Sequence, residues 1–235
     1  MSGRFAGQVV LIAGGTGGLG RAVSAEFLGE GAIVVVTYKH EPEFGALRAA
    51  AGTNASRLEG LSVDVMDADA VQQLVNGIVA KQGRLDAAIN CVGGYAAGSK
   101  LWEMKPEVMD QMMSLNLQSG FVLFRAVVPA MLTKDRGAIV NVASRAAIDH
   151  AGSAAAYAAS KSAAVAMIDS LAADLKGTNI RANSILPSII DTDANRKEMP
   201  KADFSKWPKP QEIARVILFL CSDDAKLIRG AAIPV

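Results

Sequence analysis

Tyr157 and Lys161 bracket the run Tyr157-Ala158-Ala159-Ser160-Lys161. On a helix that spacing puts a phenol and an ammonium on one face, within mutual reach. A neighbouring cation stabilises a phenolate, so the placement is expected to draw the tyrosine pKa down from about 10 toward the working pH, which makes a general acid or base. Ser144 stands at the end of the preceding apolar run, where its hydroxyl would donate to a carbonyl oxygen that becomes an alkoxide on reduction. Each feature alone is commonplace. Ser and Tyr together would polarise a C=O group.

The turn Gly14-Gly15-Thr16-Gly17-Gly18-Leu19-Gly20 follows an apolar run at residues 8–13 and opens an amphipathic stretch at 21–30. That order reads strand, tight turn, helix, the context in which backbone N–H groups and a helix N-terminus hold a pyrophosphate. Its spacing, Gly14-x3-Gly18-x-Gly20, is wider than the common GxGxxG. The choice of nicotinamide nucleotide falls at the end of the second strand, where an acid would bond the ribose 2′-hydroxyl of NAD. The chain has Thr37-Tyr38-Lys39-His40 there instead. Lys39 would neutralise a 2′-phosphate, so NADP(H) is expected over NAD(H); the alternative is an ordinary solvated lysine. Asp64, at the end of the third strand, either accepts from the adenine amine or serves as a turn residue.

These side chains need a frame, and the spacing of apolar residues predicts it. Strands are expected at 8–13, 32–37, 61–64, 85–91, 138–143, 180–186 and 231–235. Val71, Leu74, Val75, Ile78 and Val79 recur at helical intervals. Further helices are expected from Pro106 to about Leu132, from about 153 to 176 and near 211–221. Alternating strands and helices imply right-handed parallel crossovers, hence an α/β fold: a single Rossmann-type, doubly wound parallel sheet of about seven strands with helices on both faces. No linker, repeat or charge block divides residues 1–235, which read as one domain. The stretch 187–210 is polar and proline-rich. With Met199, Phe204 and Trp207 inside it, residues 188–207 are expected to form a substrate lid closing over something apolar.

The chain resembles the short-chain dehydrogenase/reductase family over essentially its whole length. The resemblance rests on Gly14, Gly18 and Gly20, the pair Asp64-Val65, the run Asn90-Cys91-Val92-Gly93, Asn116, Ser144, Tyr157-x3-Lys161, and Pro187 leading to Thr192. It implies an oxidoreductase that transfers a hydride from NADPH to a ketone or 3-oxoacyl carbonyl. In it Tyr157 would be the proton donor, Lys161 its pKa modulator and a ligand of the nicotinamide ribose, and Ser144 the carbonyl orienter. Asn116 would hold a water in a proton relay to Lys161, and Asn90 would be mainly structural. The nucleotide site so implied comprises Gly14, Thr16, Gly17, Gly18, Leu19 and Gly20, then Lys39, Asp64 and Val65. It continues through Asn90, Val92 and Gly93 to Tyr157, Lys161, Pro187, Ile190 and Thr192, the last bonding the nicotinamide carboxamide. Three positions depart from the family pattern: Ala13 before the first glycine, Cys91-Val92 in the fourth-strand motif, and Ser188 in place of a glycine.

Within the family, Asp191-Thr192, Asn195-Arg196, Met199-Pro200, Ala202 to Ser205 and Trp207 resemble the lid of dihydropteridine reductases, as does Gly93-Gly94-Tyr95. Lys39 and Ser144 speak against that substrate. A dihydropteridine reductase, reducing C=N character, stays open as an alternative. So does a dinucleotide-sensing protein without chemistry, although such sensors usually lose the Tyr or the Lys.

Composition narrows the remaining classes. The 235 residues are 51% hydrophobic and 20% charged, which excludes disorder. Lys and Arg number 24 against 23 Asp and Glu, a formal charge of +1, so nothing global attracts nucleic acid or an anionic membrane. The partner is expected to be a small molecule. With His40 and His150 as the two histidines and neither in a nucleophile context, a Ser-His-Asp hydrolase and a metal site both lack their ligands. Cys91 and Cys221 lie in apolar runs and are expected to be inert buried thiols. Residues 1–7 do not read as a signal segment, and no apolar run approaches the ~18 residues of a membrane span, so a soluble cytoplasmic protein is expected. The Met- and Ala-rich helices at 104–131 and 154–175 carry more apolar residues than one core-facing stripe needs. That excess, with the family resemblance, points to a homotetramer or homodimer.

Overall fold

The structure is a computed structural model that describes residues 3–235. β1 (Val9–Ala13), β2 (Ile33–Tyr38), β3 (Leu58–Ser62), β4 (Ala87–Asn90), β5 (Gly137–Val142), β6 (Ile180–Leu186) and β7 (Ala232–Pro234) form one parallel sheet in the order β3-β2-β1-β4-β5-β6-β7. Every residue of β1 is buried, so the strand is apolar throughout instead of alternating. Val10 and Ile12 face one cluster with Phe27, Ile213 and Ile217. Val9 and Leu11 face the other with Val71, Val75 and Val127.

The helices covering those faces are α1 (Gly20–Gly29), α2 (Glu41–Ala51), α3 (Ala68–Gln82), α4 (Pro106–Met113), α5 (Ser119–Leu132), α6 (Ala155–Asp174), α7 (Asp193–Glu198) and α8 (Pro210–Cys221). α1, α2 and α8 supply the first cluster and α3, α5 and α6 the second. The doubly wound sheet with helices on both faces is as the alternation predicts. After β3 the chain crosses back to place β4 on the other side of β1. Such a reversal opens a crevice at the carboxyl ends of the two strands, where ligands of open α/β sheets bind. The register Ala13↔Asn90 brings the glycine turn beside the end of β4.

Four expectations change. The third strand lies at Leu58–Ser62, before the expected 61–64, because it is an edge strand only half buried and carries Glu59 and Gly60, which mask the apolar pattern. The helix expected from Pro106 to about Leu132 is interrupted by a π-helical turn at Ser114–Gln118, where the Ser119 N–H reaches back five residues to the Ser114 carbonyl. Pro106–Leu132 is long and apolar enough to cross a membrane by composition alone, yet it packs inside the fold with Asn116 and Ser119 buried. α2 was not foreseen; it buries only Phe44 and Leu47, too narrow a stripe to stand out. The stretch expected as a loop carries α7.

Arg181 shows how the sheet holds its helices. Its side chain is buried in β6, and its guanidinium donates to the carbonyls of Leu220 at 2.6 Å and Ser222 at 3.0 Å. Burial pushes its pKa down. The end of α8 leaves carbonyls without helical partners, and Arg181 supplies two of their donors. Arg181→Met is therefore expected to destabilise the fold by about 1–3 kcal/mol, read as a lowered urea midpoint at constant m. An unchanged midpoint would contradict the assignment.

Candidate active site

The glycine turn is shaped by close approach. Gly14 has φ of 70° and its N–H donates to Thr37 Oγ1 at 3.0 Å. A Cβ at Gly20 would overlap the Gly14 carbonyl oxygen. Any larger residue at Gly20 would open the turn. α1 then starts without a side-chain cap at Leu19. The Arg21 and Ala22 N–H groups already donate to the Gly17 and Leu19 carbonyls, while those of Gly18, Leu19 and Gly20 have no partner among the described residues and are the ones left for an anion. Gly17 and Gly18 are exposed and Leu19 is buried. The donor set and the space left by the missing side chains fit the phosphates of a dinucleotide.

Around this turn the predicted nucleotide residues gather in part. Val92 packs toward Gly14, and Thr192 lies against Gly18. Lys39 stands exposed directly after β2. Asp64 is also exposed; its Oδ1 accepts from the Met66 N–H at 2.9 Å and its Oδ2 accepts from no donor among the described residues. Val65 follows it. Thr192 accepts the Asn195 N–H at 3.2 Å, capping α7, while its own proton stays available. Asn90 is buried, donating to Asn141 Oδ1 at 3.1 Å and accepting from the Val92 N–H at 3.2 Å. Ser188 does not adopt a left-handed conformation. Its N–H donates to the Val235 carbonyl at 2.9 Å, so the chain passes here without needing glycine.

Ser144, Tyr157, Pro187, Ile190, Asn195 and Met199 line one cavity of about 620 Å³, with Tyr95, Asp149 and Glu198 also on its wall. Tyr95 meets Tyr157 edge to face at 4.9 Å between ring centroids. Phe204 and Trp207 do not line it. They pack on each other at 4.9 Å, with the Arg196 guanidinium 4.9 Å from the Phe204 ring. Of the three apolar lid residues, only Met199 turns to the cavity. Glu198 bears no motif in the sequence, and Asn195 stands out there only within the dihydropteridine-reductase-like lid pattern; both reach the wall because α7 forms.

The phenol and the ammonium are brought together as the i, i+4 spacing predicts. Lys161 Nζ lies 5.9 Å from the Tyr157 ring centre and donates to the Val142 carbonyl at 3.1 Å. Lys161 is 5% exposed, and burial brings its pKa down to about 8, with Cys91 opposing slightly. Cys91 itself is held protonated, burial pushing its thiol up to about 12. The expected lowering of the Tyr157 pKa does not hold in the free protein: burial raises it, and the Ser144 hydroxyl works against that rise. The reason is dehydration of the phenolate site, to which the neighbouring Tyr95 adds.

Asn116 sits in the π-helical turn, and its side-chain amide joins three segments. Its Oδ1 accepts the Gly94 N–H at 2.9 Å; its Nδ2 donates to the Gly94 carbonyl at 3.1 Å and to Ser160 Oγ at 3.0 Å. Ser160 in turn donates to the Tyr157 carbonyl at 2.8 Å. A Cβ on Gly93 would press on Asn116 Oδ1 and Lys161 Nζ. Ser160 carries no signal in the sequence beyond adjoining Lys161.

The short chain dehydrogenase family matches the chain over residues 8–203. The chain is 32% identical over 240 residues to the 3-oxoacyl-(acyl-carrier-protein) reductase FabG of Thermotoga maritima, covering 99% of this chain and 97% of that one. Among solved structures it is similar to ElxO with NADP bound, at a TM-score of 0.92 and 26% identity over 97% of this chain and 96% of that one. It is similar also to the carveol dehydrogenase of Mycobacterium avium in complex with NAD, at a TM-score of 0.90 and 26% identity over 99% and 97%. With the glycine turn, the Tyr157–Lys161 helix and these likenesses in agreement over nearly its full length, the chain belongs to the short-chain dehydrogenase/reductase family of oxidoreductases.

Proposed function

We propose that the chain reduces a ketone or 3-oxoacyl carbonyl with NADPH, using Tyr157 as the general acid. The observation that carries this reading is the pairing of Ser144 and Tyr157 on one cavity wall, with the Lys161 ammonium buried behind the tyrosine ring. A relative named as a 3-oxoacyl reductase supports the carbonyl class. Neighbours hold NADP in one case and NAD in another, so the preference for NADP(H) rests on Lys39. A dihydropteridine-type reduction would leave the Ser144 hydroxyl without a use.

In this reading the glycine turn (Gly14, Thr16, Gly17, Gly18, Leu19, Gly20) and the start of α1 hold the pyrophosphate, Lys39 the 2′-phosphate, and Asp64 with Val65 the adenine end. Val92, Gly93, Pro187, Ile190 and Thr192 border the nicotinamide half, and Asn90 keeps the β4 end in shape. The nicotinamide supplies the hydride when bound. Ser144 donates to the carbonyl oxygen and Tyr157 gives up its phenol proton as negative charge develops there. Lys161 then stabilises the phenolate and bonds the ribose. Because the Asn116 amide is spent on Gly94 and Ser160, its backbone in the π-helical turn would hold the water that returns a proton to Lys161. Residues 188–207 act as the lid of a single domain spanning 1–235. The exposed Phe121 beside an apolar groove between α5 and α6 supports a homodimer or homotetramer.

Tyr157→Phe is expected to lower kcat for carbonyl reduction by roughly 10²–10⁴ while leaving NADPH affinity nearly unchanged by calorimetry. Full activity in that variant would overturn the mechanism.

The pH dependence has a definite sign. Lys161 titrates at about 8, so it is cationic below that pH and neutral above it, while the raised Tyr157 pKa keeps the phenol protonated across the same range. Reduction by the free enzyme should therefore stay level below pH 8 and fall above it, seen in kcat/KM. A rate that climbs through pH 8 would contradict this assignment.

Lys39 bears on the nucleotide alone. Lys39→Asp should reverse the order of the NADPH and NADH dissociation constants, a charge reversal beside a phosphate being worth on the order of a few kcal/mol. Equal constants for both nucleotides in the unaltered protein would remove the basis for the preference.

A further inference from the structure

Thr16 occupies the middle of the glycine turn, and its hydroxyl donates to Glu43 Oε2 at 3.0 Å. Glu43 lies in the first turn of α2 together with Glu41, and α2 begins just beyond Lys39. A cavity of about 550 Å³ opens between the turn, α1 and α2, with Thr16, Gly18, Arg21 and Glu43 on its wall. Among the described residues, Glu43 forms no ion pair with a lysine or arginine, while Arg21 is taken by Asp193 at 2.9 Å. The Glu41 carboxylate raises the pKa of the Tyr38 phenol. The end of β2 thus presents one cation and, a helical turn later, an uncompensated carboxylate fastened to the nucleotide turn itself.

We infer that Glu43 is a specificity-determining residue for the nucleotide, opposing a 2′-phosphate and restraining the preference that Lys39 creates. This rests on the reading of the glycine turn as the dinucleotide site. A phosphate coming to this end of the turn finds the Thr16 hydroxyl already donating to a carboxylate, so it must displace that carboxylate or stand beside it. Either course costs like-charge repulsion. A ribose 2′-hydroxyl meets no such penalty, because a hydroxyl donates to a carboxylate. The N-terminal end of α2 would ordinarily welcome an anion, but its own two acids already answer that field. Lys39 and Glu43 therefore act in opposite directions on one substituent.

The test is calorimetric binding of NADPH and of NADH to the full-length protein and to Glu43→Gln, with no turnover involved. Glu43→Gln is expected to tighten NADPH about tenfold at low ionic strength, as removal of a unit charge a few ångström from a phosphate in a wet site implies. NADH should stay the same or weaken. Raising the salt to 1 M should shrink the change in the NADPH/NADH ratio, since screening shortens to about 3 Å. An unchanged ratio, or equal tightening of both nucleotides, would overturn the inference. If the unaltered protein binds NADH more tightly than NADPH, the Lys39 preference fails on its own, and a shift in the ratio on Glu43→Gln still supports the role of Glu43. Failure of the unaltered protein to bind either nucleotide would overturn both.

Discussion

An ammonium held nearly out of water is the condition on which this site depends. Moving a charge from water into a protein interior is costly, and Lys161 has in return a single carbonyl bond from Val142, with no carboxylate paired to it among the described residues. The lowered pKa is the signature of that cost. Its surroundings are arranged to tolerate it: Gly93 has no side chain to press on the nitrogen, and Cys91 stays a neutral thiol. A carboxylate partner would have made the charge more comfortable and far less available to a phenolate or a ribose.

The same economy explains why so many small residues and amides surround the tyrosine. Asn116 spends its amide on both backbone groups of Gly94 and on Ser160, and Ser160 spends its proton on the Tyr157 carbonyl. These bonds fasten the loop after β4, the π-helical turn and α6 to one another. In a buried network, satisfied bonds fix position and unsatisfied ones are penalised. Tyr157 and Lys161 are thus placed by bonds among their neighbours.

The parts legible from sequence are those whose geometry is local or repetitive. Tyr157 and Lys161 share a helix, so their spacing alone brings them together. The central strands are buried on both faces, so β1 and the first four residues of β2 appear as unbroken apolar runs. Where burial is one-sided or the contact is distant, the signal fades. β3 at the sheet edge admits Glu59 and Gly60, so its apolar pattern points three residues beyond its true start at Leu58. Phe204 and Trp207 look like cavity-lining residues, but each satisfies the other. The Thr16–Glu43 bond spans 27 positions and two elements, and no periodicity reveals it. The Tyr157 pKa moves against the expectation from its neighbours because a nearby charge is visible in a sequence while the loss of water is not.

The π-helical turn at Ser114–Gln118 has a consequence for the length of the chain at that point. A turn closed over five residues carries one residue more than an α-helical turn needs, and each helical residue advances the side chains by about 100°. Deleting any one of the five would let α4 and α5 merge into a regular helix. It would also rotate one of them against the other by roughly that angle. α4 packs on α6, whereas α5 packs on α3 and the sheet, so both faces could not stay seated. The surplus residue acts as a phase shifter between two packing surfaces, and this stretch should tolerate substitution far better than any change in its count.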